Sequence, residues 1–350
     1  MRKNTRKVMV GDVAVGGYSP ISVQSMTTEK TSDINKVVKQ INSLKNLGCD
    51  ISRSAINSED DAKAINIIKE KTNLAFVADI QFDYRLAIYA IENGCDCLRI
   101  NPGNIGDSDK VKLLVDKCKS RNIPIRIGVN SGSIHKDLLK KYNGVNIDSL
   151  VYSAIEEVEL LESLDFHDII ISIKSSDVNT MIDANRKISA MLDYPLHLGV
   201  TEAGPLSISS VKSSIGIGSL LKDGIGDTIR VSITGNPLDE IRVGKLILKS
   251  LNLNDEGIDI VSCPTCSRTT VDLSKIVDIA QEKLSKLKIN KKVAIMGCPV
   301  NGPGEAKEAD YAIACANGVG FLFKNGKTVK KVKEENIVDE LVNFIKRENQ

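Results

Sequence analysis

The chain has 350 residues, of which 42% are hydrophobic and 26% charged, a composition typical of a globular protein of about two domains. A net charge of only +2, 4% aromatic residues and no Trp argue against binding to nucleic acid or to a membrane surface. No membrane-length apolar run occurs, and no apolar signal core follows the basic segment 1–7, so a cytoplasmic location is expected. There, the eight cysteines are expected to be thiols or metal ligands.

Residues 20–250 repeat a pattern of a short β-branched run, a polar turn and a helical stretch. Gly48, Gly94 and Gly224 stand at predicted helix ends, each just before the next strand. The predicted strands are 21–26, 50–54, 74–80, 97–101, 125–130, 169–174, 196–201 and 228–233, and the helices between them include 34–47, 60–70, 110–118, 147–164 and 211–221. Eight such units predict an α/β fold with an N-terminal (β/α)8 barrel of the TIM type over residues 1–251. An open doubly wound sheet is the alternative, but no Gly-x-Gly-x-x-Gly motif follows the first strand.

A polar linker at residues 252–257 predicts a domain boundary, followed by a smaller α/β domain over residues 258–350. The predicted elements of this domain are strand 258–262, helix 269–287, strand 292–297, a turn at 301–304, two short strands near 310–324 and helix 334–347.

Cations fall on or at the ends of five of the eight barrel strands: Arg53, Arg99, Arg126, Lys174 and Arg230. Alternate residues of a strand point the same way. Asn101 therefore shares a face with Arg99, Asn130 with Arg126, and Ser232 with Arg230. Buried Arg is costly without a partner, and converging guanidinium, amide and hydroxyl donors suit a diphosphate at the carboxyl ends of the strands. The alternative is a set of outward-facing Arg side chains paired with carboxylates of the helices.

Four further polar groups are expected to face this pocket: Asp79, Asp83, His197 and Glu202. Each of them alone is more often a helix cap, an ion-pair partner or a hydrogen-bonded core residue than a catalyst.

Three cysteines follow predicted strands of the second domain. Cys263 and Cys266 form a Cys-x-x-Cys motif, and after thirty-one intervening residues Cys298 opens a turn rich in Pro and Gly. Soft thiolate donors favour zinc, copper(I) or an iron–sulfur cluster, and a redox Cys-x-x-Cys pair is a further alternative. The fourth ligand could be Glu305, Cys315 or none, although Cys315 lies in an apolar run typical of a core strand.

The remaining cysteines flank apolar segments and are expected to be buried thiols: Cys49, Cys95, Cys97 and Cys118.

Several motifs, in order along nearly the whole chain, resemble those of the 4-hydroxy-3-methylbut-2-enyl diphosphate synthase family. They are Val23-Gln24-Ser25-Met26-Thr27, Arg99-Ile100-Asn101-Pro102-Gly103-Asn104, Pro124-Ile125-Arg126-Ile127-Gly128-Val129-Asn130, Gly199-Val200-Thr201-Glu202-Ala203-Gly204, Cys263-Pro264-Thr265-Cys266-Ser267-Arg268 and Val300-Asn301-Gly302-Pro303-Gly304-Glu305-Ala306. This family contains the iron–sulfur enzymes of the non-mevalonate (methylerythritol phosphate) pathway of isoprenoid biosynthesis.

The resemblance implies a two-electron reductive ring opening of 2-C-methyl-D-erythritol 2,4-cyclodiphosphate to 4-hydroxy-3-methylbut-2-enyl diphosphate. It implies a [4Fe–4S] cluster on Cys263, Cys266, Cys298 and Glu305, with Glu305 yielding its place to substrate, and Glu202 as the hypothetical proton donor. The implied partners are reduced flavodoxin or ferredoxin and a second copy of the chain, with the cluster domain of one subunit over the barrel of the other. The expected substrate-binding set is Arg53, Arg99, Asn101, Arg126, Asn130, Lys174, His197, Arg230 and Ser232.

Two departures from the family pattern affect the barrel. Gln81 stands where the family usually has His, and it can donate a hydrogen bond but cannot carry positive charge. Ser52 and Ser54 flank Arg53 where apolar residues are usual. Neither departure touches the expected cluster ligands.

A basic run near the end of the chain has two interpretations, a solvated hairpin or a docking surface for an acidic electron carrier; it contains Lys324, Lys327, Lys330, Lys331 and Lys333. The alternatives to a redox enzyme are a phosphate-ligand-binding barrel with a zinc-stapled second domain, and a non-redox phosphate-handling barrel of the pterin-synthase type.

Overall fold

A computed structural model describes residues 2–101, 105, 106, 108–254, 257–287, 289–298, 300, 302–316 and 318–349. Within the motifs and the linker named above, seven residues lie outside these ranges: Pro102, Gly103, Asn104, Asp255, Glu256, Pro299 and Asn301. The chain forms two compact units, residues 1–254 and 255–350.

The first unit is built on ten strands. They are β1 (Val8–Val10), β2 (Val13–Val15), β3 (Ser22–Met26), β4 (Ile51–Ala55), β5 (Ala75–Asp79), β6 (Cys97–Ile100), β7 (Ile125–Asn130), β8 (Ile169–Lys174), β9 (His197–Leu198) and β10 (Thr228–Ile229). Eight of them pair in parallel in the order β8-β7-β6-β5-β4-β3-β10-β9. A parallel bridge between Ile171 and Leu196 joins the two ends of this sheet. The predicted (β/α)8 barrel is therefore confirmed, and the open sheet is excluded.

The helices of this unit surround the barrel and bury one apolar face each against it. They are α1 (Ile34–Asn46), α2 (Glu59–Thr72), α3 (Tyr84–Glu92), α4 (Ser108–Arg121), α5 (Lys136–Lys141), α6 (Ile147–Ser163), α7 (Val178–Met191), α8 (Leu206–Lys222) and α9 (Pro237–Ser250). Gly48, Gly94 and Gly224 have φ of 86°, 83° and 80° just beyond α1, α3 and α8, as their predicted positions at helix ends require.

The last two barrel strands are shorter than predicted. β9 and β10 have two residues each. Beyond them the backbone amides no longer bond to the neighbouring strand in a regular ladder: the Thr201 amide donates to the Ser175 carbonyl, and the Thr234 amide donates to the Gly204 carbonyl. Helix α8 also begins five residues before the predicted 211, directly after Pro205.

The hairpin of β1 and β2 was not predicted, and it closes the amino end of the barrel. Val8, Val10 and Val15 form one apolar cluster with inward-facing residues such as Ile51 and Ile170. The opposite end, where the strands finish, is left for a site.

The second unit contains a five-stranded sheet in the order β11-β12-β13-β14-β15. The strands are β11 (Ile258–Ser262), β12 (Lys291–Met296), β13 (Tyr311–Ala316), β14 (Val319–Lys324) and β15 (Lys327–Lys333), and the helices are α10 (Leu273–Leu284), α11 (Gly302–Glu308) and α12 (Ile337–Glu348). The first three strands are parallel and the last two antiparallel to their neighbours. Helices α10 and α12 cover one face of the sheet, and Ala306 of α11 packs on the other.

Three predictions for this unit were wrong in detail. Residues 302–304 of the predicted turn form the first turn of α11. A third strand, the exposed edge strand β15, follows the two predicted near 310–324, and it pairs with β14 in the solvated hairpin that was one interpretation of the basic run. Asp272 caps α10 by accepting from the Lys275 amide, so the helix begins four residues later than predicted. Among the described residues, none of the helices has the length and apolar character needed to cross a membrane.

Candidate active site in the barrel and candidate cluster ligands

A polar cavity of about 150 Å³ lies inside the barrel, where parallel strands deliver alternate side chains inward. Its described lining consists of Arg53, Asp79, Gln81, Arg99, Arg126, Asn130, Ser172, Lys174, Thr201 and Arg230. All five cations predicted from the strands thus face one space, and the alternative of outward-facing Arg residues is excluded for them.

The three other residues predicted to bind substrate lie outside this lining. Asn101 is buried, and neither atom of its amide has a hydrogen-bond partner in the part of the chain described. His197 is buried at the start of β9. Ser232 is half-buried, and its carbonyl accepts from the Ser209 hydroxyl at 2.7 Å.

Two carboxylates hold part of the cationic set in place. Asp79 lies 3.6 Å from Nε of Arg53 and 3.3 Å from Nη1 of Arg99. Gln81 joins this group, since its amide donates to Asp79 at 3.1 Å and accepts from Arg99 at 3.4 Å. Glu240 of α9 receives Arg230 through two hydrogen bonds of 2.8 and 3.2 Å, the bidentate geometry that fixes a guanidinium.

Five cations against these two carboxylates leave an excess of positive charge among the described residues. Burial lowers the pKa of Arg126 to about 10 and holds the pKa of Lys174 well below its usual value, and the neighbouring guanidinium groups depress that of Lys174 further. Charged groups taken from water without a counter-ion cost several kcal/mol each. A bound anion would remove this penalty, so the cavity is suited to a multiply charged anion.

Two glycines on the inner face provide the space for these side chains. A Cβ atom on Gly128 would lie 2.3 Å from Nε of Arg99, and one on Gly199 would lie 2.5 Å from the carbonyl oxygen of Arg230 and 3.1 Å from Nζ of Lys174. Both glycines belong to motifs that carried the family resemblance, and their role here is steric.

A second polar layer lies deeper in the barrel. Arg126 donates from Nη1 to the Gln24 side chain at 2.8 Å, while its Nε and Nη2 have no partner among the described residues. Nδ1 of His197 is 3.4 Å from the Thr228 hydroxyl, and its Nε2 is likewise unpartnered there. Burial, followed by the charges of Arg126 and Lys174, holds the pKa of His197 well below 6.5, so this imidazole is neutral.

Glu202 and Asp83 occupy other positions. Glu202 is exposed one residue after the cavity-lining Thr201, with a φ of 52°. Of eight non-glycine residues with positive φ in the described chain, six are Asn or Asp, which tolerate it, whereas Glu does not. Asp83 caps α3 and pairs with Arg85 at 2.8 Å, so its expected place at the pocket is wrong.

Four residues of the barrel site were not assigned to it from the sequence. Ser172 shares a strand face with Lys174, so parity could have found it. Gln24 and Thr201 were noted only as parts of motifs. Glu240 lies on a helix, and no local pattern connects it with Arg230.

In the second unit, Cys263 follows β11 and Cys298 follows β12, two neighbouring parallel strands that end at the same edge of the sheet. The Gly297 amide donates to Sγ of Cys263 at 3.3 Å, which links the two loops. Cys266 is exposed, and a hydrogen bond from the Arg268 amide lowers its pKa, as thiolate ligation requires. Glu305 lies in the first turn of α11, half-buried.

Within the described residues, no three His, Cys, Asp or Glu side chains converge closely enough to hold a metal ion. The donors nevertheless fit an iron–sulfur cluster by chemistry and by position on the fold, with three thiols, one carboxylate and amide hydrogen bonds to sulfur. Cys315 is buried in β13, and burial raises its pKa to about 12, which favours core packing over ligation.

The four cysteines of the barrel unit are buried thiols, as predicted. Burial raises the pKa of Cys49 and Cys97 to about 12 and those of Cys95 and Cys118 well above the usual value.

We expect His197 to make the barrel acid-sensitive. Its folded pKa is depressed, so its contribution to stability is complete above pH 6.5 and is lost as the pH falls below it, where the unfolded chain takes up a proton. His197→Asn should reduce the fall in the free energy of unfolding between pH 6.5 and 5 by up to about 1.4 kcal/mol per pH unit. Urea unfolding across this range measures the effect. The half-exposed His167 is the control, and an equal change for His167→Asn would contradict the expectation.

Comparison with known proteins supports one family over both units. Residues 5–245 match the family model described as the GcpE TIM-barrel domain, and residues 259–347 match that of the GcpE protein C-terminal domain. A relative from Fusobacterium nucleatum is 55% identical over 99% of this chain and 98% of its own, and one from Clostridium perfringens is 57% identical over 98% and 99%. Both are named 4-hydroxy-3-methylbut-2-en-1-yl diphosphate synthase (flavodoxin).

Solved structures share only the fold. A truncated 3-deoxy-D-arabino-heptulosonate 7-phosphate synthase from Thermotoga maritima aligns with a TM-score of 0.50 at 14% identity, over 71% of this chain and 91% of its own. A 7,8-dihydropteroate synthase from Vibrio fischeri aligns with a TM-score of 0.50 at 11% identity, over 71% and 98%.

Matches to two consecutive domains and to relatives more than half identical over nearly the full length confirm the family expected from the motifs. The chain belongs to the GcpE family, the family of the flavodoxin-dependent 4-hydroxy-3-methylbut-2-en-1-yl diphosphate synthases.

Proposed function

We propose that this chain catalyses the reductive ring opening and dehydration of 2-C-methyl-D-erythritol 2,4-cyclodiphosphate to 4-hydroxy-3-methylbut-2-enyl diphosphate, in the cytoplasm. The observation that carries the proposal is the buried cavity in which five cations from five strands meet. The names of the relatives support the same reaction and supply flavodoxin as electron donor, with ferredoxin as the alternative carrier.

In this proposal the barrel binds and orients the diphosphate. Arg53, Arg99 and Arg126 offer planar guanidinium donors, and Lys174 adds a point charge. Uncharged hydrogen-bond donors would come from Asn101, Asn130, Ser232 and the neutral His197. The excess positive charge also favours departure of the bridging phosphate oxygen, since negative charge develops on it when the ring opens.

The second unit would hold a [4Fe–4S] cluster on Cys263, Cys266, Cys298 and Glu305. When bound, the cluster would supply the two electrons of the reaction, one at a time. Glu305 is the harder donor of the four and the one most easily displaced. The amides of Gly297 and Arg268, which bond to the sulfurs of Cys263 and Cys266, would stabilise thiolate charge there.

Lys174→Met tests the anion site. We expect pyrophosphate or substrate to bind about 10- to 100-fold more weakly, because a hydrogen bond to a charged group contributes about 1.5–3 kcal/mol. The ligand-free variant should be no less stable than the parent, since a buried cation is replaced by an apolar side chain of similar length. Lys187→Met is the control, because Lys187 pairs with Asp148 at the surface. Calorimetric titration measures both, and equal binding by both variants would refute the site.

Glu202 is the proposed donor of a proton to the departing substrate hydroxyl. Glu202→Gln should lower turnover by a factor of about 100 or more, with unchanged pyrophosphate binding and iron content. Glu202→Gly should lose the same activity while the free energy of unfolding stays equal or rises, because glycine relieves the strain at φ 52°. Steady-state kinetics and urea unfolding separate the two effects. Full turnover by Glu202→Gln would rule out the role.

The ligand set predicts the metal content of anaerobically purified protein. We expect a brown sample with about four iron and four acid-labile sulfide per chain. Cys298→Ala should abolish this content, whereas Cys315→Ala should retain it because Cys315 fills the core of the second unit. A colourless protein with zinc would instead support the zinc-stapled binding barrel.

We also propose a homodimer in which the barrel of one subunit works with the cluster domain of the other. Mixing Cys298→Ala, which should lack the cluster, with Lys174→Met, which should bind substrate about 10- to 100-fold more weakly, should then give more activity than the sum of the two variants measured alone. Absence of complementation would argue against the shared site and leave the chemistry assigned to each unit untouched.

A further inference from the structure

Met26 is the last residue of β3, and it lies beside Arg53, its register partner on the neighbouring parallel strand β4. Nη2 of Arg53 is 2.9 Å from Sδ of Met26, and Nε is 3.2 Å from it, so the guanidinium donates twice to the thioether. Asp79 pairs with this guanidinium by charge at 3.6 Å, which is beyond hydrogen-bond distance. The sulfur atom is therefore the group that orients Arg53.

A thioether is an unusual choice of acceptor for a buried cation. Its sulfur accepts hydrogen bonds only weakly. The contrast within the same cavity is Arg230, which the Glu240 carboxylate holds through two strong hydrogen bonds. A weak acceptor keeps a guanidinium in place and yet yields it to a phosphate oxygen. Of these two cations, Arg53 is thus the one whose donors are more easily transferred to a bound anion.

The sulfur of Met26 is also the one at the site that an oxidant can reach. Met26 is half-buried, because it ends its strand at the open end of the barrel. Met181 and Met296 are 0% and 2% exposed within apolar clusters. Met9 and Met191 are 44% and 46% exposed, but they lie on the β1–β2 hairpin and at the end of α7. Among the methionines that the structure describes, Met26 alone combines access with contact to a cation of the site.

We propose that Met26 is an oxidation site through which hydrogen peroxide reversibly weakens anion binding in the barrel, an inference that rests on the anion site of the proposed function. Peroxide transfers one oxygen atom to Sδ. The O–O bond breaks, an S=O bond forms, the sulfur loses two electrons and the rest of the peroxide leaves as water. The product is methionine sulfoxide, which is polar and which methionine sulfoxide reductases convert back to methionine.

The added oxygen changes the position of Arg53 and the strength with which it is held. A sulfoxide oxygen accepts a hydrogen bond more strongly than a thioether sulfur, so Arg53 has more to give up when phosphate enters. The oxygen also needs room, because a charge-assisted N–H···O bond is about 2.7–2.9 Å long and the nitrogen already lies 2.9 Å from the sulfur. The guanidinium must therefore move away from Sδ. Both effects lower the affinity for an anion that needs Arg53 in its present place.

Peroxide treatment of the anaerobically purified protein tests the inference, with calorimetric titration of pyrophosphate as the measurement. Dithiothreitol added afterwards returns disulfides and sulfenic acids to thiols, and peptide mass mapping follows each methionine. We expect protein oxidised at Met26 to bind pyrophosphate about 10- to 100-fold more weakly, and methionine sulfoxide reductases to restore the binding. Pyrophosphate present during the treatment should slow oxidation of Met26 and leave that of Met191 unchanged.

Three variants isolate the sulfur of Met26. Met26→Leu removes the acceptor, so it should bind pyrophosphate about 2- to 10-fold more weakly than the parent and change no further with peroxide. Met26→Gln places an amide oxygen near Arg53 and should match the oxidised parent without any oxidant. Met191→Leu is the matched control, and it should keep the sensitivity of the parent to peroxide.

The outcomes separate this inference from the proposed function. The inference is wrong if Met26 stays unoxidised when Met191 is fully oxidised, if oxidation of Met26 leaves the affinity unchanged, or if peroxide weakens binding equally in Met26→Leu. In each of these cases the anion site itself stands. An untreated parent that does not bind pyrophosphate would instead refute the anion site, and this inference with it.

Discussion

The barrel of this protein buries more positive charge than its own carboxylates neutralise. Asp79 and Glu240 fix three of the guanidinium groups, whereas Arg126 and Lys174 have no carboxylate partner among the described residues. Such an arrangement lowers the stability of the ligand-free fold and is relieved when an anion enters. The hairpin closes the amino end of the barrel, and the glycines of the inner face leave space for these cations.

This constraint explains why neutral groups surround the cations. His197 is buried next to Arg126 and Lys174, where a further positive charge would be costly, and it is accordingly neutral. Gln81 likewise adds no positive charge to the pocket. It bridges Asp79 and Arg99 through its amide, so it links these two groups without adding a further titratable charge.

The sequence was informative where a regular period places side chains. Strand parity brought Arg99, Arg126 and Asn130 to one cavity, because alternate residues of parallel strands share a face. Strand parity could not predict the contacts that depend on tertiary structure. Glu240 reaches Arg230 from a helix, and Glu202 faces solvent although it follows an inward-facing Thr. Two-residue strands such as β9 and the short β1–β2 hairpin carry too few alternations to leave a pattern.

The two chemical tasks lie in units that each have their own apolar core. Substitutions in the barrel should thus leave the second unit folded, and the cysteine loops can close on a cluster without repacking the barrel. The amides of Gly297 and Arg268 already donate to two sulfurs, yet no three ligands converge among the described residues, so binding of the proposed cluster would have to supply the remaining order. Neither unit holds both the anion site and the thiols, so the proposed reaction needs groups from both units.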